Sequence, residues 1–289
     1  MNTRVLVDRR FSGKGTDLAM LRKILTPRWI ITTLLVITAV AVMTYLGFWQ
    51  LDRLEQRRAF NTRVTAQLQT PPLDLSTSLP QNIQSLYDME YRQATAQGEY
   101  DFANEILLRN QVWDGQPGYH LFTPLHLPGS AYAVLVDRGF IPLDEGKPAL
   151  RTKYDQPAGI VKVSGIFLRP RVPRYFGVPD PPLAPGETRL DAWNAIRLER
   201  IQEQVGYSLL PVFIQSAPDP SRQGPPFASL EQPDLSEGPH MGYALQWFSF
   251  AAVLAFGYPF FVRKQFTDNA RNQILKDHKW VKHQSTDDF

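Results

Sequence analysis

The residue best suited to chemistry is His240, which stands directly before a long apolar segment. Residues 241–262 are uncharged and mostly apolar, and Arg263 and Lys264 follow them. Because an α-helix rises about 1.5 Å per residue, this segment is long enough to cross a hydrocarbon core of about 30 Å. An ionisable side chain at the edge of such a helix is a candidate functional group. Imidazole is also a common axial ligand of haem iron.

The helix predicted after His240 carries an unusually aromatic stripe. At helical spacing, one face combines the histidine with aromatic and small residues: His240, Tyr243, Ala244, Trp247, Ala251, Leu254 and Tyr258. The aromatic rings suit a flat macrocycle, and the alanines allow a neighbouring helix to approach closely. The alternative is an ordinary interfacial helix start with aromatic residues at the head-group level. On the residues alone, that simpler interpretation is favoured.

A second apolar segment, residues 29–48, contains no charge and is also long enough to span a membrane. The sequence 39–41 (AVA) resembles a signal-peptidase site, but the apolar run continues to Phe48, which favours an uncleaved anchor. Neither Gly nor Pro interrupts the chain from Phe48 to beyond Phe60, so we expect the helix to continue there. Tyr45, Trp49, Arg53 and Gln56 would share one face.

Two arginines, Arg53 and Arg57, follow the first apolar segment, at the same membrane face where His240 precedes the second apolar segment. They are therefore placed to meet the propionates of a bound haem. Arginines at the head-group level beside interfacial aromatic residues are the alternative, and on the residues alone it is favoured.

The charged flanks predict the topology. Residues 1–28 carry seven Lys/Arg against two acids, and residues 263–289 carry six against four, whereas residues 49–240 are net negative. Short basic flanks stay in the cytoplasm, so both termini are expected inside a cell (inner) membrane and residues 49–240 outside. The net charge of +3 is explained by this topology, and nucleic-acid binding has little support.

The central segment reads as a mainly antiparallel β domain. Alternating or β-branched runs at 91–100, 105–113, 118–127, 131–142, 160–168 and 209–215 are separated by Gly/Pro turns, which is typical of a small barrel or sandwich. Residues 193–206 have helical spacing, and 170–186 read as a Pro-rich loop. The expected order is a basic tail (1–28), a transmembrane helix (29–48), an extracytoplasmic β domain with one or two short helices (49–240), a second transmembrane helix (241–262) and a cytoplasmic tail (263–289).

Other chemistry has little support in the sequence. The chain has no cysteine, which excludes disulfides and thiol catalysis. His120 and His126 would lie about 20 Å apart on one strand, too far to share an ion. Asp137-Arg138-Gly139 reads as a strand ending in a salt-bridged turn. No hydrolase or metalloprotease motif occurs, so an enzyme is not expected.

Four patches between residues 47 and 247 follow one another in a characteristic order. They are 47–53 (GFWQLDR); 91–92 with 98–101; 105–110 with 118–119, 123–125 and 136–142; and the group His240, Tyr243, Ala244, Gln246 and Trp247. In this order, with the two flanking apolar segments, the sequence resembles the surfeit locus protein one family. It departs from the family pattern at Phe140, where Trp is usual, and at Arg57, where Lys is usual.

The resemblance implies a non-enzymatic assembly factor for cytochrome c oxidase. It implies that the chain holds haem a and helps its insertion into oxidase subunit I, with haem a synthase as a possible second partner and lipid around the helices. His240 matches the histidine implicated in haem binding and would be the iron ligand. Tyr243, Trp247, Trp49 and Arg53 are further candidates for haem contact because of where they lie.

Two other classes of function remain open. A scaffold would stabilise a subunit I intermediate without holding haem, and the stripe on the second helix would then be a protein contact. A membrane-anchored hydrolase or sensor would need a polar pocket in the β domain, which the sequence does not reveal.

Overall fold

The chain divides into a pair of long helices and a β-rich body. The structure, a computed structural model, describes residues 26–155, 159–171, 179–183 and 189–284. One compact unit joins the chain up to Arg58 with the chain from Glu237 onward, and the other is Ala59–Ser236. The predicted basic tail therefore lies mostly outside the described residues, as do parts of the Pro-rich loop.

Four α-helices are present in the described chain. They are α1 (Pro27–Gln69), α2 (Pro148–Arg151), α3 (Leu198–Val205) and α4 (His240–Gln284). Helix α1 continues well beyond Phe60, which confirms that the first apolar segment extends as one helix. Helix α4 begins at His240 and runs through much of the segment expected to be a tail. Short 3₁₀ turns lie at Ile83–Met89, Phe102–Asn104, Leu143–Glu145 and Thr152–Tyr154.

Helices α1 and α4 pack antiparallel along a narrow seam. The less exposed positions of α1 recur at alternating steps of four and three residues, which is the pattern of paired helices: Trp29, Thr33, Val36, Val40, Met43, Gly47, Gln50 and Leu54. The facing positions of α4 are His240, Ala244, Trp247, Ala251, Leu254, Tyr258 and Val262. Trp29 meets Phe266 at the far end, with ring centroids 5.2 Å apart. The Thr33 and Tyr258 hydroxyls lie 2.6 Å apart.

Away from this seam, the helix pair exposes large apolar side chains in several directions. On α4, Phe256 is 80% exposed, and Val253, Phe260 and Phe261 are also exposed. On α1, the exposed side chains include Ile30, Ile31, Leu34, Leu35 and Ile37. Both helices are long and apolar enough to cross a membrane.

The β-rich unit is built around a closed five-stranded barrel. The strands of the described chain are β1 (Leu73–Asp74), β2 (Gln93–Tyr100), β3 (Ile106–Trp113), β4 (Gln116–His126), β5 (Tyr132–Pro142), β6 (Val161–Leu168), β7 (Ala192–Trp193) and β8 (Ser208–Ser216). Strands β2, β6, β8, β5 and β4 pair in that order, and β4 closes the ring on β2. Only the β5–β8 pairing in this ring is parallel. The mainly antiparallel fold is thus confirmed, as a barrel.

The barrel interior is filled by apolar residues that alternate along the strands. One buried cluster includes Leu125, Val136, Phe167 and Ile214. Another lies beneath α3 and the last turns of α1, where Val64 and Ile201 are buried. The C-terminal part of α1 is therefore a core element of the β-rich unit.

Two local predictions were wrong. Residues 193–206 do not form one helix, because Trp193 is in β7 with its indole N–H donating to the Leu190 carbonyl, and α3 begins only at Leu198. Asp137-Arg138-Gly139 does not end a strand. These residues form a bulge in the middle of β5, opposite Leu121 and Phe122. Gly139 adopts φ +116°, and a Cβ there would clash with the Phe227 backbone, so the close approach requires glycine.

Candidate functional site

His240 is tied to α1 by a direct side-chain hydrogen bond. Its Nδ1 lies 2.8 Å from Oε1 of Gln50, a residue of the seam. The chain reaches this position through Gly238, whose φ of +68° belongs to the left-handed region that favours glycine. The backbone N–H of Tyr243 donates to the Pro239 carbonyl, so the first helical turn forms immediately after the bend. The sequence Gly-Pro-His therefore places the imidazole at the start of α4, against α1.

A paired ion contact holds the chain just before His240. The Arg58 guanidinium donates two hydrogen bonds, each 2.8 Å long, to the two carboxylate oxygens of Glu237. These bonds and the Arg58 charge lower the pKa of Glu237 below its usual range. Both side chains are about half exposed, so the contact contributes more to geometry than to stability.

The predicted α1 site residues lie close to the His240–Gln50 contact but on the neighbouring face of α1. Arg53 is one turn beyond Gln50, and its guanidinium carbon lies 5.5 Å from the centre of the Trp49 ring. The same guanidinium donates to Oε1 of Gln56 at 2.8 Å. Trp49 is 40% exposed and Tyr45 more so, so this face points away from the seam. The structure thus places Arg53 and His240 at the same end of the helix pair.

The two aromatic candidates on α4 differ in environment. Tyr243 is 48% exposed, whereas Trp247 is half-buried and contacts Phe250 edge-on, with centroids 6.3 Å apart. Ala244 and Ala251 are buried in the seam, as their small size predicted. Of the predicted stripe, the seam therefore includes His240, Trp247 and the alanines, while Tyr243 lies outside it.

Gln50 is the residue that sequence reasoning missed. Its signal was available, because Gly47, Gln50 and Leu54 follow the spacing of a helix-pairing seam and Gln50 is a polar residue in that series. A polar residue at such a position requires a polar partner on the facing helix. The sequence offers His240 in the corresponding place at the start of α4.

The donor set at this end of the helices suits a macrocycle better than a bare ion. Among the described residues, no group of three or more His, Cys, Asp or Glu side chains could hold a metal. A haem supplies its own equatorial nitrogen donors and needs only axial ligands from the protein. His240 offers one imidazole, Arg53 a cation and Trp247 an aromatic ring, which are side-chain types that such a group uses.

Comparison with known proteins identifies the family. The SURF1 family model matches residues 37–252, which is well over half of the chain. The chain belongs to the SURF1 family. It is 28% identical to an uncharacterized SURF1-like protein of Mycobacterium tuberculosis over 242 residues, covering 82% of this chain and 84% of that protein. It is 26% identical to Surfeit locus protein 1 of Mus musculus over 225 residues, covering 73% of this chain and 69% of that protein.

The SURF1 family match includes both parts of the candidate site. Its limits contain Gln50 and Arg53 on α1 and His240 and Trp247 on α4. Human Surfeit locus protein 1 is 24% identical over 226 residues, which are 73% of this chain and 71% of that protein. The family relationship therefore extends into both long helices as well as the barrel.

Within the barrel of this SURF1-family chain, each histidine has its own carboxylate partner. The His120 Nδ1 lies 2.9 Å from Asp137, which is almost fully buried and also accepts from the Gly139 N–H. His126 is 49% exposed, and its Nε2 lies 3.8 Å from an Asp101 oxygen. Tyr207 donates to the same Asp101 oxygen at 2.8 Å. These contacts explain both histidines as parts of local polar pairs.

A polar cleft of about 250 Å³ lies on the barrel, lined by Tyr100, Arg138, Lys162 and Arg222 among others. Arg138 is occupied, because it donates to Glu105 at 3.0 Å and to the Tyr154 carbonyl. Burial raises the pKa of Tyr100 to about 12, so its hydroxyl stays protonated at neutral pH. The described lining residues include neither histidine nor cysteine. The lining also includes Ser164, Ser216 and Asp219, so the cleft is polar.

Proposed function

We propose that this chain is a membrane-bound assembly factor for cytochrome c oxidase that holds haem a and aids its insertion into subunit I. The observation that carries the proposal is the His240–Gln50 contact, which fixes one imidazole at the end of a helix pair. In this proposal the protein is not an enzyme, because its task is to hold and deliver a cofactor.

The membrane part of the proposal rests on the surface of the helix pair. Side chains such as Phe256 and Val253 are exposed along a segment with only one packed seam. Such a surface is costly in water and stable in lipid. With basic flanks at both ends, the two helices would cross a cell (inner) membrane and leave both termini in the cytoplasm.

Each candidate residue has a role in holding haem. His240 would hold the iron of the haem through its imidazole, and the iron would supply Lewis-acid chemistry. Arg53 would pair with a propionate, because a guanidinium binds carboxylates through directed hydrogen bonds. Trp49, Tyr243 and Trp247 would provide aromatic contacts. The barrel would present its outer surface to subunit I or to haem a synthase.

A scaffold without haem is the second candidate function. The exposed Tyr243, Phe250, Val253 and Phe256 favour it, since an aromatic helix face can serve as a protein contact within the membrane. In that case the chain would stabilise a subunit I intermediate through α4.

Absorbance of the purified protein separates these functions. The full chain is purified in mild detergent from cells that produce haem a, together with the variants His240→Ala and His126→Ala. We expect pigment in the wild type, a changed or lost haem spectrum in His240→Ala, and an unchanged spectrum in His126→Ala. A colourless wild type, or an unchanged spectrum in His240→Ala, would contradict the proposed ligand.

A further inference from the structure

The partner of His240 determines which of its nitrogens is available. The Gln50 side chain presents its carbonyl oxygen, Oε1, to Nδ1 at 2.8 Å. Because an amide oxygen only accepts hydrogen bonds, this contact is a hydrogen bond when Nδ1 carries the proton. In a neutral imidazole with a proton on Nδ1, Nε2 keeps its lone pair.

The contact lies in a packed part of the helix pair. Gly238 lies beside the imidazole, where an added Cβ would be 3.5 Å from the ring carbon Cδ2. One turn further along α1, Leu54 is buried in the seam, and on α4 the next seam residue, Ala244, is buried as well. The Arg58–Glu237 pair ties down the segment that precedes the histidine. Gln50 is therefore set on a packed helix rather than on a free loop.

We propose that Gln50 is the positioning residue of His240. It holds the imidazole as the Nδ1–H tautomer and leaves Nε2, with its lone pair, as the group that binds iron. This inference rests on the proposed haem function for its purpose, but the tautomer itself exists without haem. Acceptors of this kind orient metal-binding histidines and raise their basicity, and their loss weakens metal binding about 10- to 100-fold.

The first test measures the tautomer in the haem-free full chain. Protein labelled with ¹⁵N-histidine is reconstituted in lipid nanodiscs at a pH where the imidazole is neutral, and His240→Ala identifies the signals of His240. We expect the wild type to show the proton on Nδ1. A wild-type spectrum with the proton on Nε2 overturns the inference without any variant of Gln50.

The second test removes the acceptor with Gln50→Leu, which has a similar size but no acceptor. We expect the ratio of the Nδ1–H to the Nε2–H tautomer to fall about fivefold, the factor that corresponds to one net hydrogen bond. Gln50→Glu keeps an acceptor and should keep the Nδ1–H tautomer. Gln265→Leu makes the same chemical change at an exposed site near the other end of the helix pair and should change nothing. An unchanged ratio in Gln50→Leu contradicts the inference.

Haem titration then separates this inference from the proposed function. We expect Gln50→Leu to bind haem about 10- to 100-fold more weakly than wild type, with Gln50→Glu close to wild type. If the tautomer responds to Gln50 but His240→Ala binds haem as well as wild type, the haem function fails and the orienting role survives. If binding requires His240 but neither the tautomer nor the affinity responds to Gln50→Leu, only the positioning role fails.

Discussion

The buried ion pair of Arg138 and Glu105, beside the barrel cleft, gives the sharpest test of what stabilises the β-rich unit. Arg138 lies in the bulge of β5 and Glu105 directly before β3, with side chains only 4% and 6% exposed, and their charged atoms are 3.0 Å apart. Thr123 donates to the same Glu105 oxygen at 2.7 Å. Arg138 also lies against the Tyr100 and Phe102 rings, 5.1 and 5.2 Å from their centres. Replacing Arg138 leaves a buried carboxylate without its compensating charge.

We expect Arg138→Met to lower the free energy of unfolding by about 3–5 kcal/mol at neutral pH, as is typical when one partner of a buried pair is removed. The loss should depend on pH in a defined direction. Burial already raises the pKa of Glu105, and Arg138 opposes this, so the variant should raise that pKa further. A group whose folded-state pKa is raised is tolerated below its unfolded value, about 4.3, and destabilises folding as pH rises through the folded value. The variant should therefore be nearest to wild type at acidic pH.

The assay is urea unfolding of the full chain in detergent, followed by tryptophan fluorescence between pH 4.5 and 8. Arg222→Met removes an exposed arginine from the same cleft and should change stability by less than about 0.5 kcal/mol. Arg138→Met/Glu105→Leu should be more stable than Arg138→Met at pH 8, because the uncompensated charge is gone. Equal losses at pH 5 and pH 8, or no recovery in the double variant, would refute the electrostatic explanation.

Three further substitutions test the packing on which the site depends. Gly47→Leu should separate the helices near His240, because even a Cβ at this position would lie 2.5 Å from the Phe248 ring. Cross-linking between a pair of cysteines introduced on the two sides of the seam would then become inefficient. Tyr258→Phe removes the hydroxyl contact with Thr33 and should cost about 0.6 kcal/mol of helix association, as measured by thermal unfolding in detergent. Trp193→Ala empties a fully buried position and should lower the free energy of urea unfolding by about 3–5 kcal/mol. A much smaller loss would contradict this, because it would mean that the core closes around the gap.

Most of the fold could be predicted from the sequence because the signals for its elements are local. Long uncharged runs predict helices, and the alternating runs that became β2 through β6 and β8 predict strands, since each pattern reports burial on one face. The failures occurred where tertiary contacts outweigh local spacing. Trp193 follows a helical pattern yet lies in β7, where its ring is buried in the core. The bulge at Gly139 depends on the approach of Phe227, which is 88 positions away in the chain and leaves no local signal.

The candidate site was only partly predictable for the same reason. His240 could be identified from its position alone, because an ionisable group at the start of an apolar helix is unusual. The partner of His240 depends on the register between α1 and α4, and neither segment alone determines that register. The sequence placed Trp49 and Arg53 on one face of α1, whereas the face that meets α4 carries Gly47 and Gln50. Counting the steps of four and three along α1 is the reasoning that would have found Gln50.

The polar contacts along the helix seam follow a gradient that explains why His240 lies where it does. Within the apolar segment, the contact between the helices is a hydrogen bond between the Thr33 and Tyr258 hydroxyls. About 26 Å further along α1 it is the amide and imidazole of Gln50 and His240, and about 12 Å beyond that the ion pair of Arg58 and Glu237.

In the proposed membrane topology, the cost of each contact in hydrocarbon would account for this order. Neutral hydroxyls are the least costly polar groups to bury together, and a full ion pair is the most costly. An imidazole hydrogen-bonded to an amide falls between them and belongs at the boundary of the apolar segment. In the proposed function, the same position would place His240 at the depth of an amphiphilic ring system with an apolar body and charged propionates.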